Sequence, residues 1–325
     1  MHSVFRAFVR LAALAALLGV ACAGALAQSP AWPTRQVTIV VPYPAGGGTD
    51  AIARSLALAL SARWGQSVVV ENPAGGDGII GTQRVLRAPA DGYTILMQVN
   101  QMLLYKAAQP NLNLMDDLKL VSMVQHSPLS FSVSTKFPGK TIAEFVAYCK
   151  TAKPACSWAS ATKYGQLIGN QFIDAAGLKG LVINAPYKGT APMMTDLLGG
   201  HITMALPAVA SGLPHYKSGG LRFLAVGSAE RFKLMPNIPT LVESGYQVFG
   251  DSWYGLMVSK DTPQPVFNAI VDAVKAVSTN PALLASIESN AGQPVFSSPE
   301  RFAADVAKES AYLNGLLTKY PLDPN

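Results

Sequence analysis

The sequence is poor in the residues on which most catalytic and metal centres depend. It holds three cysteines and four histidines among 325 residues, and no histidine stands near another candidate metal ligand. It contains neither the G-x-S-x-G turn of a serine hydrolase nor the H-E-x-x-H motif of a zinc protease. His126, His201 and His215 are isolated, so each is interpreted as a surface or capped residue. We therefore expect no catalytic centre, no metal and no cofactor.

Charge is also scarce, and it forms no block of one sign. Charged residues make up 14% of the chain, and the formal net charge of +6 includes Arg6 and Arg10, which leaves +4 beyond the N-terminal segment. Scattered basic residues give little support to nucleic-acid binding. A mild positive balance does fit an anionic ligand.

A long apolar run occurs at the N-terminus alone. Leu11–Ala25 follows two arginines and leads to Ala25-Leu26-Ala27, so residues 1–27 are predicted to be a signal peptide that is cleaved before Gln28. Cys22 raises the lesser alternative of a lipid anchor. No later run is long enough to span a bilayer, so we expect an exported, soluble protein of the periplasm.

Two cysteines remain after this cleavage. Cys149 and Cys156 lie close together in the sequence, with Pro154 between them. In an oxidising compartment an isolated pair of this kind is interpreted as a disulfide.

The stretch from Val37 to Arg54 carries the most information. Its β-branched start predicts a buried parallel strand, which two prolines end. Gly46–Gly48 then form a turn, and Thr49 and Asp50 suit the start of a helix. Such a turn exposes backbone N–H groups at the positive end of a helix dipole and predicts an anion site. The alternative is a tight strand–helix turn without a ligand.

Predicted strands and helices alternate through most of the chain, which indicates parallel α/β sheets. Thr141 followed by Glu144 predicts a capping box at the start of a helix. Pro236–Gly245 is predicted to be a loop with a short helix, and from Pro265 onward the sequence is predicted to be mainly helical. The length allows two α/β domains or one large one.

A second glycine-rich stretch matches a nucleotide-binding motif. Gly76, Gly78 and Gly81 fit G-x-G-x-x-G between a predicted strand and a helix predicted at Thr82–Ala88. An acid that holds a ribose should follow about 20 residues later, at the end of a strand. Asp91 comes too early and precedes its strand. We favour a flexible glycine loop over a dinucleotide site.

Small, polar or glycine residues follow several predicted strands, at the sheet edge where α/β proteins bind ligands. Converging loops with backbone donors and few acids or bases describe a binding pocket better than a reaction centre. The predicted ligand-binding residues are Tyr43, Pro44, Ala45, Gly46, Gly47, Gly48, Thr49, Asp50, Asn100, Gln101, Ser160, Ala161, Thr162, Lys163, Tyr187, Lys188, Gly189, Thr190 and Ala208.

Six motifs, taken in order, resemble one protein family. They are Val41-Pro-Tyr-Pro-Ala-Gly-Gly-Gly-Thr-Asp50, Val69-Val-Glu-Asn-Pro-Ala-Gly-Gly76, Ala90-Asp-Gly-Tyr-Thr94, Pro186-Tyr-Lys-Gly189, Asp196-Leu-Leu-Gly-Gly200 and Trp253-Tyr-Gly-Leu256. Their order and spacing resemble the substrate-binding proteins of tripartite tricarboxylate transporters, the Bug family. The resemblance implies a periplasmic-binding-protein-like fold of two α/β domains joined by two crossover strands. It also implies a carboxylate held between the domains, largely by backbone amides and water, and a membrane permease as partner. We expect a monomer.

The resemblance also implies domain boundaries. Residues 28–131 and 252–325 would form a discontinuous domain 1, and residues 132–251 would form domain 2. The chain would cross between them near Ser130–Thr135 and near Gly250–Trp253. Ligand is expected to close this hinge by shifting an existing equilibrium between open and closed forms.

Two departures from the family pattern bear on the ligand. The loop Ser160–Gly165 is shorter than usual, and Thr203 and Pro207 stand where the family often has acids. Acids at those places could pair with an ammonium group, so we expect a dicarboxylate or an aromatic acid and no amino acid. Lys163 either contacts a second carboxylate or lies at the surface.

Two other functions stay open at this point. One is an exported enzyme, such as an oxidoreductase that uses Gly76–Gly81, and binding of NAD(H) would support it. The other is a sensory binding module with the same α/β cleft, which neighbouring permease genes would argue against.

Overall fold

A computed structural model describes residues 32–109, 112, 114–187 and 189–322 of the chain. The predicted signal peptide with Cys22, and the predicted ligand residue Lys188, lie outside the described residues. Residues Gln36–Asn325 form one compact unit. All elements named below belong to Gln36–Asn325.

Strands and helices alternate over most of this unit, and the chain from Gln264 onward is mainly helical, as the sequence predicts. The strands are β1 Val37–Val40, β2 Val68–Glu71, β3 Thr94–Val99, β4 Leu118–Pro128, β5 Ser130–Ser134, β6 Ser157–Ser160, β7 Ile183–Pro186, β8 Met204–Ala205, β9 Leu221–Val226, β10 Asp251–Ser259 and β11 Gln293–Pro294. The helices are α1 Gly48–Trp64, α2 Ile79–Arg87, α3 Tyr105–Ala108, α4 Ile142–Thr151, α5 Lys163–Ala175, α6 Thr190–Gly199, α7 Val209–Lys217, α8 Gln264–Val277, α9 Pro281–Ser289 and α10 Pro299–Lys319. Single turns of 3-10 helix lie at Gly76–Gly78, Asn100–Leu104 and Leu114–Asp117.

One sheet has the strand order β11-β4-β10-β3-β1-β2. β1 is parallel to β2 and β3, whereas the long β10 is antiparallel to β3 and β4. On α1, Ile52, Leu56 and Leu60 are fully buried, as their spacing in the sequence predicts. We call this sheet and the helices on it lobe 1.

The other sheet has the order β7-β6-β8-β5-β9 and is the centre of lobe 2. β6 is parallel to β7 and β8, and β5 is antiparallel to β8 and β9. Phe131, Phe145 and Phe172 are completely buried in its core. A Cβ atom on Gly169 of α5 would lie 2.0 Å from the ring of Trp158, so glycine lets α5 approach β6 this closely.

The chain passes between the two sheets twice. Leu129 alone separates β4 of lobe 1 from β5 of lobe 2, and residues 227–250 lead from β9 back to β10. The predicted α/β fold of two lobes joined by two crossings is therefore confirmed. The first crossing comes just before the predicted Ser130–Thr135, whose first five residues form β5 itself. The exact domain boundaries stay a prediction.

The two crossings lie side by side. Leu129 N donates to Gly250 O, Gly227 N donates to Leu129 O, and Gly250 N donates to Gly227 O, each over 2.8 Å. A Cβ atom on Gly227 would lie 2.5 Å from Gly250 O, so a side chain there would force the strands apart. Backbone hydrogen bonds among Leu129, Gly227 and Gly250 thus join the two crossings, which together form the hinge between the lobes.

The C-terminal helix α10 packs on both lobes. Near its start, Phe302 and Val306 share a core with Trp253 and Met257 of lobe 1. Two to three turns later, Leu313 belongs to the aromatic core of lobe 2. The helix therefore bridges the lobes, although the predicted boundaries assign it to domain 1 alone.

The predicted disulfide between Cys149 and Cys156 is confirmed. The two Cα atoms are 5.5 Å apart, and the bond joins the end of α4 to the residue before β6. Both cysteines are buried in the core of lobe 2.

No single helix within residues 32–322 combines the length and the apolar composition of a membrane span, over the positions that the structure describes. The pair α8 and α9, bent by 79°, meets that test only when the two helices are taken together.

Candidate functional site

A cavity of about 120 Å³ lies where the strand ends of the two lobes face each other. Lobe 1 contributes the end of β3, the turn after it and the start of β10, and lobe 2 contributes the ends of β6 and β8 and the starts of three helices. The lining residues are Val99, Asn100, Gln101, Leu129, Ser160, Ala161, Thr162, Tyr164, Thr190, Met193, Leu206, Pro207, Ala208, Ser211 and Ser252.

Three helices of lobe 2 begin at the cavity wall. Thr162 is the N-cap of α5, Thr190 is the first residue of α6, and Ala208 is the N-cap of α7. A helix N-terminus carries partial positive charge and N–H groups without partners in the helix. The Thr162 side chain caps α5 by accepting from Gly165 N, whereas α6 and α7 have no side-chain cap. The cavity is therefore suited to an anion.

The side chains that line the cavity are neutral. Among the lining residues that the structure describes, none is Lys, Arg, Asp or Glu. Leu129, Met193 and Leu206 make an apolar part of the wall, and the rest is largely hydroxyl, amide and backbone. Hydrogen bonds from neutral donors and helix ends, rather than ion pairs, would hold a ligand here.

Both polar atoms of the Asn100 side chain have hydrogen-bond partners. Its Nδ2 donates to Asp251 O over 2.9 Å and to Glu309 Oε1 over 2.7 Å. Its Oδ1 accepts from Ser252 Oγ over 3.0 Å. The amide orientation is therefore fixed by two acceptors on one side and one donor on the other.

Glu309 of α10 lies directly behind Asn100. Burial of its carboxyl group raises the pKa of Glu309 to about 7, and the nearby Asp251 adds to the rise. Hydrogen bonds from Asn100 and Trp253 oppose it. Trp253 Nε1 donates to Glu309 Oε2 over 2.6 Å, so both carboxylate oxygens have donors.

Two contacts join the lobes beside the cavity. Tyr164 N of α5 donates to Gln101 Oε1 over 3.2 Å, and Tyr164 Oη donates to Asp251 O over 3.0 Å. His126 Nδ1 lies 2.8 Å from Asp251 Oδ2. Burial lowers the pKa of His126, but its bond to Asp251 and the charge of that carboxylate outweigh burial, so the net shift is upward.

The glycine loop Tyr43–Asp50 does not line this cavity. Tyr43 Oη donates to Gln98 Oε1 over 2.5 Å, and Gly46 N donates to Asp50 Oδ2 over 2.9 Å. Burial raises the pKa of Asp50, but its bonds to Arg54 and Gly46 N outweigh burial and lower it. One of the predicted anion donors thus already has a carboxylate partner. A ligand site at this loop, as predicted from the sequence, is therefore the alternative to a site in the cavity.

The structure brings seven of the predicted ligand residues together in the cavity wall. They are Asn100, Gln101, Ser160, Ala161, Thr162, Thr190 and Ala208. Lys163 is the first residue of α5 and is partly buried, but it is not part of the lining. Tyr187 Oη donates to Asp196 Oδ2 over 2.5 Å, and neither Tyr187 nor Gly189 lines the cavity.

Several lining residues were not predicted from the sequence, among them Met193 and Ser252. Met193 follows Thr190 by three positions on α6, so helical spacing could have indicated it. Ser252 lies on the antiparallel β10, and no local pattern connects it with Asn100.

Two of the three glycines in the G-x-G-x-x-G match are explained by packing. A Cβ atom on Gly81 would lie 2.5 Å from Cβ of Pro42, and one on Gly78 would lie 2.5 Å from Oη of Tyr105. Protein side chains fill the space that a pyrophosphate would need next to these glycines. The motif therefore gives no support to a dinucleotide site.

Within the part of the chain that the structure describes, no three His, Cys, Asp or Glu side chains are grouped so that they could hold a metal ion.

Comparisons with known proteins agree with the fold. Residues 52–319 match the family model described as "Tripartite tricarboxylate transporter family receptor". Protein BugT of Bordetella pertussis is 30% identical over 309 residues, which cover 92% of this chain and 93% of BugT. A UPF0065 protein of Agrobacterium vitis is 32% identical over 269 residues, covering 81% of this chain and 77% of that protein.

Solved structures show the same similarity. Periplasmic binding protein BugD is 32% identical, with a TM-score of 0.75 over 89% of this chain and 98% of BugD. Rpa4515 of R. palustris, solved with adipate, is 27% identical, with a TM-score of 0.78 over 88% of this chain and 97% of that one. The chain belongs to the tripartite tricarboxylate transporter receptors of the Bug family.

Proposed function

We propose that the chain is an extracytoplasmic solute-binding protein that captures a small organic carboxylate between its lobes and delivers it to a tripartite tricarboxylate-type permease. The observation that supports this most is the meeting of three helix N-termini at a cavity without charged lining. The uncapped starts of α6 and α7 offer N–H donors to carboxylate oxygens. Ser and Thr hydroxyls add further donors.

The cavity volume sets the size of the ligand. One water molecule needs about 10–15 Å³ of such a volume, so the cavity of about 120 Å³ admits roughly ten non-hydrogen atoms. Linear dicarboxylates between succinate and adipate have this size, and Rpa4515, whose structure is similar to that of this chain, has been solved with adipate. A single-ring aromatic acid has a similar atom count and is the second ligand class.

The location and the partner follow from other features. The predicted signal peptide and the buried disulfide suit an oxidising compartment outside the cytoplasm. The family match supports delivery to a permease.

A ligand screen tests the ligand class. Mature protein is titrated calorimetrically with succinate, glutarate, adipate and benzoate, and with glycine and glucose as controls. We expect a dicarboxylate to bind, and at a hundred times its Kd to add about 2.7 kcal/mol to stability in a thermal-shift assay. Binding of glucose or glycine alone would overturn the carboxylate assignment.

Two variants test the place of binding. Ala208→Phe puts a ring into the cavity wall, and Gly47→Val puts a branched side chain into the exposed glycine loop. We expect Ala208→Phe to abolish binding and Gly47→Val to change affinity less than about threefold, because single surface substitutions have small effects. The reverse result would place the ligand at the glycine loop.

A further inference from the structure

We propose that Glu309 is a positioning residue that, through Asn100, turns the Ser252 hydroxyl into a hydrogen-bond acceptor facing the cavity, so that the site prefers carboxylates that carry a hydroxyl group. This inference rests on the proposed function, because it concerns the ligand of the same cavity. Glu309 does not line the cavity itself. It acts through the chain of hydrogen bonds described above.

The first step is the orientation of Asn100. Both protons of its Nδ2 have acceptors, Asp251 O at 2.9 Å and Glu309 Oε1 at 2.7 Å. A flipped amide would point its oxygen at these two acceptors and would lose both bonds. Asn100 Oδ1 therefore faces Ser252.

The second step is the Ser252 hydroxyl. Its single proton is donated to Asn100 Oδ1 over 3.0 Å, which leaves only lone pairs for the cavity that Ser252 lines. A carboxylate oxygen next to Ser252 would be repelled, whereas a ligand hydroxyl could donate to it. The lobe 2 side of the cavity offers helix N–H groups, so the carboxylates belong there and the ligand hydroxyl belongs beside β10.

The third step is the charge on Glu309. As a carboxylate it accepts from Asn100 Nδ2 and from Trp253 Nε1, whereas the protonated form is neutral and is a weaker acceptor for both donors. The titratable groups around it are Asp251 of β10, Tyr164 of α5 and Tyr312 of α10 itself. Asp251 in turn faces His126 of β4. Because the pKa of Glu309 is about 7, its carboxylate takes up a proton below pH 7, and the hydrogen bond that it accepts from Asn100 then weakens.

Matched ligand pairs that differ by one hydroxyl test the preference. Calorimetry compares succinate with each enantiomer of malate, and glutarate with each enantiomer of 2-hydroxyglutarate, at pH 8. In the wild type we expect one hydroxylated enantiomer to bind about tenfold more tightly than its parent acid, the effect of one net hydrogen bond. Ser252→Ala should bring this ratio close to one.

The pH profile separates positioning from a structural role. Between pH 8.5 and 6.5, where the ligands stay ionised, the wild-type ratio should fall. In Glu309→Gln it should be low and independent of pH, because no proton is taken up. Asp305→Asn is the matched control, since Asp305 lies one turn earlier on α10 and pairs with Arg301 at the surface. This variant should keep the wild-type ratio and its pH dependence.

The possible failures are distinguishable. Equal binding of parent and hydroxylated acids in the wild type would overturn the inference and leave the proposed function intact. A pH-dependent ratio that persists in Glu309→Gln would remove Glu309 from the mechanism. If no acid of either pair binds, the proposed function fails for linear acids of this length, and the inference fails with it.

Discussion

At the scale of single residues, Glu309 couples proton uptake to folding. Burial raises its pKa from 4.5 to about 7, so the folded state holds a proton that the unfolded state releases in this range. A group with a raised pKa contributes stability that is fully present below its unfolded value and is lost as the pH rises through its folded value. The affected window runs from about pH 4.5 to pH 7.

We therefore predict that the free energy of unfolding falls between pH 5 and pH 8. The rise in the pKa of Glu309 from 4.5 to about 7 corresponds to a loss of stability of roughly 3–3.5 kcal/mol at most, at 1.36 kcal/mol for each pKa unit. The pKa of His126 is also raised, so it contributes in the same direction, and the comparison with Glu309→Gln isolates the carboxyl. Urea denaturation at several pH values measures both slopes. Parallel slopes for wild type and Glu309→Gln would show that the carboxyl does not titrate in this window.

At the scale of elements, the two crossings depend on one glycine. Gly227 has no room for a Cβ atom, since the carbonyl oxygen of Gly250 would lie only 2.5 Å away. That oxygen also accepts from Leu129 N, so moving it breaks the ladder between the crossings. The oxygen that a Cβ atom would meet belongs to the backbone, so it cannot move aside as the end of a flexible side chain could.

Gly227→Ala should cost about 2 kcal/mol or more, the usual range for overpacking. Gly315→Ala is the matched control, because Gly315 lies on the exposed face of α10 with open space around its Cβ position. There alanine should stabilise by about 0.5–1 kcal/mol through its higher helix propensity. Thermal unfolding of both variants measures this difference, and equal melting temperatures for Gly227→Ala and Gly315→Ala would contradict the prediction.

Elements set by local chemistry could be predicted from the sequence. The predicted cap at Thr141 is confirmed, since Glu144 N donates to its Oγ1 over 3.1 Å. A short helix predicted within Pro236–Gly245 is wrong, because these residues form turns. Thr240 and Glu243 do make the reciprocal bonds of a capping box, at 2.8 and 3.0 Å. The left-handed Gly245 follows within two residues and leaves no length for a helix.

The site was predictable where it follows from sheet topology and unpredictable where it follows from packing. Asn100, Ser160 and Thr190 lie at strand ends or in the loops after them, so a general rule for α/β sheets indicates them. Glu309 is 209 positions away from Asn100. Its role depends on how α10 lies across both lobes, and no spacing in the sequence encodes that contact.

At the scale of the whole molecule, the lobes are joined by the crossings, by α10 and by contacts beside the cavity. The bonds of Tyr164 to Gln101 and to Asp251 span the lobes and exist only when the lobes are close together. Ligand binding should therefore shift the population toward this closed form. Small-angle scattering with and without a bound dicarboxylate should show a smaller radius of gyration in the complex.

Tyr164→Phe removes one of these bonds and should weaken binding by about three- to tenfold, the effect of a single neutral hydrogen bond. Its ligand-free form should scatter as a more open molecule. A wild-type radius of gyration that ligand leaves unchanged would argue against a moving hinge.

The neutral lining of the cavity has a consequence for the medium in which the protein works. Dissolved salt weakens exposed ion pairs, and its screening length falls from about 30 Å at 0.01 M to about 3 Å at 1 M ionic strength. A carboxylate held by helix N–H groups and hydroxyls inside a closed cavity offers little for dissolved ions to screen. Affinity measured by calorimetry in 20 mM and in 500 mM sodium chloride should differ by less than about threefold, far less than for a surface ion pair. The affinity of such a receptor for its ligand would stay nearly constant while the salt concentration around the cell changes.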